Sequence, residues 1–380
     1  MRTLRLCLLI IIAHFPLLSA AAERQCPPLL SLVSKDALTI SVVLDKEDKD
    51  LTLTYADGKT IKPTKIEITD SRQLGPQVAI HKFRITGLKP GTSYPYKVMD
   101  FTSKFRTAPA DQNTEVLFLF GGDYTMPQDP MVQKIEEQLK KEVDFFVDLG
   151  DHLFTRRVWI KDANWIGRTP ILLALGNHDN EVPKYTKDPA QAQKYLDFPD
   201  PANLDFSFEW GPVMFRVEDV PGYSNPYSKE ELDTIDKAYA ATKCPWKFYA
   251  CHHIFFSDGP HGYQSFPVNG KPYPEGVLRR EQLWPIFKKH NVRVAFNGHD
   301  HSYQRSAFIN GEGKPDPAGT MNVVYGGDVN DLKNKSLWSL RQYLGGKSSL
   351  AYLHVKGSEA TLRLIERDGS VADELTFKLK

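Results

Sequence analysis

The chain has 380 residues, 41% of them hydrophobic and 25% charged, and its 48 basic and 47 acidic side chains leave a formal charge of +1. These proportions are ordinary for a globular protein and exclude a disordered chain or a polytopic membrane protein. The near-neutral balance gives no electrostatic support to nucleic acid or anionic lipid as a partner, and the length favours two unequal domains.

Residues 1–5 carry Arg2 and Arg5, and apolar runs follow over 6–13 and 17–22, ending in Ala20-Ala21-Ala22. This is the tripartite form of a secretory signal, so residues 1–22 are expected to be removed and the protein to be secreted or periplasmic. His14 and Pro16 keep the apolar run below the roughly 18–20 residues that span a bilayer, so no stable membrane insertion is expected after cleavage. Losing two arginines and no acid takes the formal charge from +1 to −1. Cys7 leaves as well, and the odd set Cys26, Cys244 and Cys251 implies at least one free thiol. Cys244 and Cys251 flank an apolar run; if it is extended they lie about 20 Å apart, too far for a bridge.

Over 23–110 short β-branched or alternating runs are separated by turn signals, which predicts strands over 38–44, 51–55, 78–85, 93–98 and 102–106 in a small antiparallel sandwich. Phe83-Arg-Ile-Thr-Gly-Leu-Lys-Pro-Gly-Thr-Ser-Tyr94, followed by Phe105-Arg-Thr-Ala-Pro109, resembles the end of a fibronectin type III-like module. The resemblance implies that Leu88 and Tyr94 are core residues and that this region is a structural platform.

After the linker at 109–114 the rhythm changes to apolar strands alternating with helix-length amphipathic stretches, an α/β pattern over 111–380. Strands are predicted over 116–120, 145–149, 171–175, 248–251 and 292–296, and helices over 129–142, 228–242 and 277–290. Beyond 320 the pattern returns to strands, over 321–325, 350–355, 361–366 and 374–378.

Each strand of the middle region runs into a polar motif: Gly122-Asp123, Gly150-Asp151, Gly176-Asn177-His178-Asp179, His252-His253, and Gly298-His299-Asp300-His301. Ligands collect beyond the carboxyl ends of strands in α/β sheets, where loops converge on one crevice. The spacings of 28 residues from Asp123 to Asp151 and 26 from Asp151 to Asn177 match one strand-helix-strand unit, placing successive strand ends side by side. Carboxylates, an amide oxygen and imidazoles form a ligand set for ions such as zinc, manganese and iron. Singly each motif reads as a turn, an Asx loop or a satisfied core histidine; all five in order read as a metal site.

The five motifs together resemble the calcineurin-like metallophosphoesterase superfamily and, within it, the purple acid phosphatases. The resemblance implies a four-layer αββα domain, two mixed sheets packed between helices, holding two metal ions (iron, zinc or manganese). One ion would be held by Asp123, Asp151 and His301, the other by Asp151, Asn177, His252 and His299, with Asp151 as the bridge. Two departures mark this chain: Phe154 stands where the purple enzymes have a tyrosine that binds ferric iron, and Thr125 stands where other relatives have a histidine. A water, Thr125 or Tyr124 would fill the fourth position of the first ion, and no tyrosinate-to-iron colour is expected from Phe154.

The implied activity is that of a phosphoric ester hydrolase acting on small phosphate monoesters, with a hydroxide generated between the ions as nucleophile. His178 is the candidate proton donor to the leaving oxygen, or a hydrogen-bond donor to phosphate, beside Asn177. Asp179 either orients His178 or caps the loop. His261 occupies the loop at 257–276, where plant purple acid phosphatases carry phosphate-contacting histidines, and is the further substrate contact. His253 and His152 are expected behind the ligands, Tyr303 against the pocket and Arg305 bracing its loop, while His81, His290 and His354 are structural. The alternatives are a phosphodiesterase or nucleotidase on the same scaffold, and a non-catalytic binding or adhesion protein with a degraded first metal position. Oligomeric state is not legible.

Overall fold

The computed structural model describes residues 21–69, 78–123, 125–151, 163–180, 196–197, 204–219, 225–269, 271–327, 339–343 and 349–379. Residues 1–20 of the expected leader, Tyr124, His152 and Phe154 lie outside these residues.

The N-terminal region is all β. One four-stranded sheet orders Leu29–Ser31, Leu38–Leu44, Val78–Ile85 and Lys65–Thr69; the other orders Lys59–Ile61, Leu53–Tyr55, Ser93–Val98 and Phe101–Arg106. All described pairings in both are antiparallel. Leu88 and Phe105 are buried in its core, while Tyr94 is half-buried, packed on Phe105 with its hydroxyl accepting the Lys89 N–H at 2.8 Å. The sandwich docks on the rest of the chain: the Tyr96 hydroxyl donates to the Gly167 carbonyl, and Leu30 bridges Pro170.

The second region is a mixed α/β unit built on two large sheets. The six-stranded sheet orders Ile171–Leu173, Phe145–Asp148, Val116–Gly121, Leu350–Lys356, Glu359–Ile365 and Val371–Lys378. Its first three strands are parallel and the rest antiparallel. The seven-stranded sheet orders Phe206–Trp210, Val213–Glu218, Trp246–Cys251, Val292–Asn297, Thr320–Tyr325, Tyr303–Ile309 and Ser339–Tyr343. Strand residues alternate between faces, and the alternation decides what packs where. Phe215, Phe248 and Phe296 meet Phe118 across the gap between the sheets, with ring centroids 5.1, 5.7 and 6.0 Å away. Tyr249 and Ala295, the neighbours of Phe248 and Phe296, face the opposite way into a second cluster with Ile235, Tyr239, Leu283 and Phe287. Those last four come from helices Lys229–Ala241 and Val277–His290, which therefore cover the outer face of the seven-stranded sheet. Helix Asp129–Leu139 buries Met131, Val132 and Ile135 in the main core.

Local chemistry sets the ends of these elements. Ser228 caps Lys229–Ala241 through a reciprocal box with Glu231. Helix Asp129–Leu139 stops three residues short of the predicted end, because Lys140 takes a left-handed turn with φ 51°. The strand predicted over 171–175 ends at Leu173, freeing Ala174 to Gly176 to turn into the site. The segment at 257–276, read as a plain loop, contains the helical turn Pro260–Tyr263 and a hairpin of Ser265–Val268 with Lys271–Pro274. Strands Phe206–Trp210, Val213–Glu218 and Tyr303–Ile309 are present where the sequence pattern assigned none.

Candidate metal centre

All five motifs stand at the carboxyl ends of parallel strands, three from the six-stranded sheet and two from the seven-stranded one. The backbone turns sharply there. Asp123, Asp151 and His299 have φ of 54°, 58° and 67°, a left-handed region that non-glycine residues rarely occupy. Such strain persists where the surroundings fix it and collects at functional sites. Two glycines make the crowding possible: a Cβ on Gly176 would lie 2.0 Å from Asp151 Oδ1, and one on Gly298 would lie 2.7 Å from the Leu149 carbonyl and 3.0 Å from Asp123 Oδ2.

His252 is the focus of the cluster. Its Nδ1 lies 2.6 Å from the Leu149 carbonyl, which can only accept, so Nδ1 carries a proton. Around its Nε2 stand Asn177 Oδ1 at 3.0 Å, His299 Nδ1 at 3.1 Å and Asp151 Oδ2 at 3.2 Å. A carboxylate oxygen, an amide oxygen and two imidazole nitrogens thus turn their lone pairs toward one another in a buried space. Such a set is stabilised by a proton or by a cation. Burial pushes the His252 imidazole down, but Asp151, Asp123 and the Leu149 carbonyl outweigh it and hold the ring at about 10. His299 is driven the other way, well below its usual value, by burial and by the neighbouring histidines, which keeps it neutral and fit to coordinate. The donor types and their convergence fit a borderline divalent ion.

The companion pair is Asp123 and His301. His301 Nε2 lies 3.2 Å from Asp123 Oδ1, and Asp123 Oδ2 accepts the His299 N–H at 2.9 Å. One loop therefore presents His299 to one side and His301 to the other. Thr125 donates its hydroxyl to the Gly122 carbonyl at 2.9 Å, so the group considered for the fourth position is turned to the backbone.

The remaining residues fall into place around these. Asp151 accepts the His178 N–H at 2.7 Å through Oδ1, and the His178 side chain is exposed at the mouth of the site. Asp179 caps the loop: its Oδ2 accepts the N–H groups of Asp151 at 2.8 Å and Gly176 at 2.9 Å. His261, on the turn Pro260–Tyr263, lies over His299 with ring centroids 3.8 Å apart. His253 packs edge-on against His252 and His299, with ring centroids 5.4 and 4.7 Å away, and its Nδ1 meets Glu275 at 2.9 Å. Glu275 was not singled out by sequence, since no ligand motif brackets it. Burial raises its carboxyl to about 8, against Arg279 and His252. Tyr303 is a correction: it is fully buried, its hydroxyl bonded to Asp373 at 2.8 Å, and it does not wall the pocket. Arg305 grips the same carboxylate and braces the strand. His81, His290 and His354 make local contacts with Asp48, Asp236 and Glu115. Cys244 and Cys251 are buried as free thiols, and Cys26 is buried as well.

The family model of the calcineurin-like phosphoesterases matches residues 100–303, more than half of the chain, and the chain belongs to that family of phosphoric ester hydrolases. Within it the resemblance is to the purple acid phosphatases. Purple acid phosphatase 21 of Arabidopsis thaliana is 24% identical over 79% of this chain and 71% of its own length. A barley (Hordeum vulgare) nucleotide pyrophosphatase/phosphodiesterase is 27% identical over 55% of this chain and 63% of its own, so the match spans less than two thirds of that protein. The solved structure of purple acid phosphatase PPD1 from yellow lupin (Lupinus luteus) shares the fold over 92% of this chain and 74% of its own, with a TM-score of 0.73 at 17% identity. Among the described residues no helix is long and apolar enough to cross a membrane.

Proposed function

We propose that this chain hydrolyses small phosphate monoesters at a dinuclear metal centre outside the cytoplasm, after removal of residues 1–22. The observation that carries the reading is the convergence of Asp151, Asn177 and His299 on His252 Nε2 within 3.0–3.2 Å. On this reading Asp151, Asn177, His252 and His299 hold one ion, Asp123 and His301 hold the other, and Asp151 is shared. The ions would acidify a water to a nucleophile and offset charge on the phosphoryl oxygens. The chain's own side chains do the rest. Asp151 is kept ionised: burial raises its carboxyl, but His252 and His178 more than offset this and hold it low. The exposed His178 ring is placed to hydrogen-bond the phosphate or pass a proton to the leaving oxygen. His261, half-buried above His299, supplies a second contact to the phosphate.

Phe154 cannot coordinate iron, so zinc, manganese or iron without a tyrosinate band is expected, and a purple protein would overturn that part. The test is metal analysis of the purified protein with hydrolysis of an aryl phosphate and an aryl phosphodiester across pH, beside Asp151→Asn and His252→Ala. Wild-type rates in both variants would end the proposal. Faster diester turnover would move the reading to a phosphodiesterase, the activity named for the barley relative. Full loading with turnover of neither ester would favour a non-catalytic role, and one Arabidopsis thaliana relative, 23% identical, is named a probable inactive purple acid phosphatase.

A further inference from the structure

Glu275 sits where the hairpin of Ser265–Val268 and Lys271–Pro274 runs into helix Val277–His290, with its side chain fully buried. Its backbone N–H donates to the Gln264 carbonyl at 3.1 Å, closing the hairpin onto the turn that carries His261. The next residue, Gly276, takes φ 77°, and a Cβ there would lie 2.2 Å from the Ile254 carbonyl, so the backbone is packed tightly and the carboxylate has a fixed origin. Its two oxygens divide the neighbourhood. Oε1 meets His253 Nδ1 at 2.9 Å and Arg279 Nη2 at 3.8 Å. Oε2 lies 3.4 Å from His299 Nε2 and 3.9 Å from His261 Nδ1, and it is buried without a formed hydrogen bond.

A separate cation among His253, Glu275 and His299 is geometrically conceivable, since their ligand atoms lie within 4.8 Å of one another. Two features argue against it: Arg279 already brings positive charge to Oε1, and His299 points its Nδ1 at His252. The nitrogen of His299 that approaches Glu275 is Nε2, and an imidazole that coordinates through one nitrogen donates its proton from the other. We infer that Glu275 is a positioning residue of the metal centre, receiving His299 Nε2–H so that Nδ1 faces Asp151, Asn177 and His252, and steadying His261 above it. This rests on the metal-centre reading above. Outer carboxylates of this kind fix the tautomer and ring orientation of a ligand and raise its donor strength, and losing one costs about 10–100-fold in metal affinity.

The experiment compares the full-length wild type with Glu275→Gln and Glu275→Asp, each stripped and reloaded with zinc. Zinc affinity is read by competition with a chromogenic chelator, and the unfolding midpoint of the stripped protein is read alongside. Glu275→Gln should bind zinc about 10–100-fold more weakly, with Glu275→Asp between it and wild type and all three stripped midpoints alike. Wild-type affinity in both variants overturns the role of Glu275 and leaves the metal centre standing. An affinity loss matched by an equal loss of stripped-protein stability makes Glu275 a packing residue and also overturns it. A wild-type chain that takes up none of zinc, manganese and iron overturns the centre and this inference together, and one that takes up manganese or iron alone is tested with that ion by the same criteria. If Glu275→Gln does not fold, the aspartate variant is decided by the same criteria.

Discussion

Two buried polar regions of this molecule are built on opposite principles. Where the sandwich meets the α/β unit, each buried charge is answered by a side chain of the other sign. Asp144 accepts the Leu117 N–H at 2.9 Å and pairs with Lys141 at 2.7 Å and Arg106 at 3.1 Å. Lys82, 2% exposed, lies between Glu67 at 2.9 Å and Asp197 at 2.7 Å. Arg168 holds Glu136 with two bonds of 2.8 and 2.7 Å. In the pocket at the strand ends, by contrast, no lysine or arginine among the described residues pairs with Asp123 or Asp151. Their partners there are the imidazoles of His301 and His252, on a backbone strained at three positions. Buried charges that are neither paired nor neutralised are costly. The first region balances itself with lysine and arginine, whereas the second has only histidines to answer its carboxylates, which suits the proposal of a metal ion there.

The largest expected effects come from breaking the second arrangement. Asp151→Asn and His252→Ala should each lower aryl phosphate hydrolysis by about 10³-fold or more, a loss of roughly 4 kcal/mol in transition-state stabilisation, measured as kcat/KM on folded protein. Chelation should come next. An ion present at about 1,000 times its Kd stabilises the fold by roughly 4 kcal/mol, so a strong chelator should lower the wild-type melting temperature by about 10 °C. The same chelator should leave the Asp151→Asn and His252→Ala proteins nearly unmoved. A wild-type midpoint that ignores the chelator would erase the contrast between the regions.

The self-balanced region should respond in stability alone. Lys82→Met leaves Glu67 and Asp197 without their shared cation and should cost about 2 kcal/mol in urea unfolding, with zinc affinity and kcat unchanged; a loss of metal would couple the regions. His81 gives a smaller, pH-dependent effect. Burial holds its imidazole below the usual value, and its Nε2 accepts the Asp48 N–H at 2.9 Å, which requires a neutral ring. The unfolded chain therefore takes up the proton first. The contribution is fully present above the unfolded value of 6.5 and is lost as pH falls below it, by at most about 1.4 kcal/mol per pH unit. Unfolding free energies between pH 7.5 and 5.5 should slope less in His81→Gln than in wild type.

The same contrast explains what the sequence discloses. Metal-type residues follow buried strands directly, so Asp123, Asp151, Asn177, His252, His299 and His301 can be read from strand ends and intervening glycines. The strand runs at 38–44, 78–85 and 93–98 coincide with those observed because turn residues bound them. Glu275 is different. It reaches His299 through the fold, 24 positions away, and its own neighbours in sequence carry no ligand pattern. Asp300 is a similar case, since its carboxylate accepts the Ser257 hydroxyl and the His261 N–H at 3.3 Å, tying one loop to another. Strand Tyr303–Ile309 is illegible for another reason: three consecutive polar residues, Gln304-Arg305-Ser306, precede Ala307-Phe308-Ile309, so no period-two pattern marks it.

Tyr303 supplies the smallest and most discriminating change. From its place two residues beyond His301 the sequence assigns it to the pocket, whereas the structure buries its ring against Tyr325, with centroids 5.8 Å apart, and bonds its hydroxyl to Asp373. Burial and that carboxylate push its ionisation well above the usual phenol range, so it donates a proton in a fixed bond and takes no part in acid-base chemistry. Tyr303→Phe removes one donor while Arg305 still holds both Asp373 oxygens. The expected cost is about 1 kcal/mol of stability, the net worth of an ordinary hydrogen bond, with KM for an aryl phosphate unchanged. A tenfold rise in KM at unchanged stability would return Tyr303 to the pocket wall, and with it the position of the whole strand that follows His301.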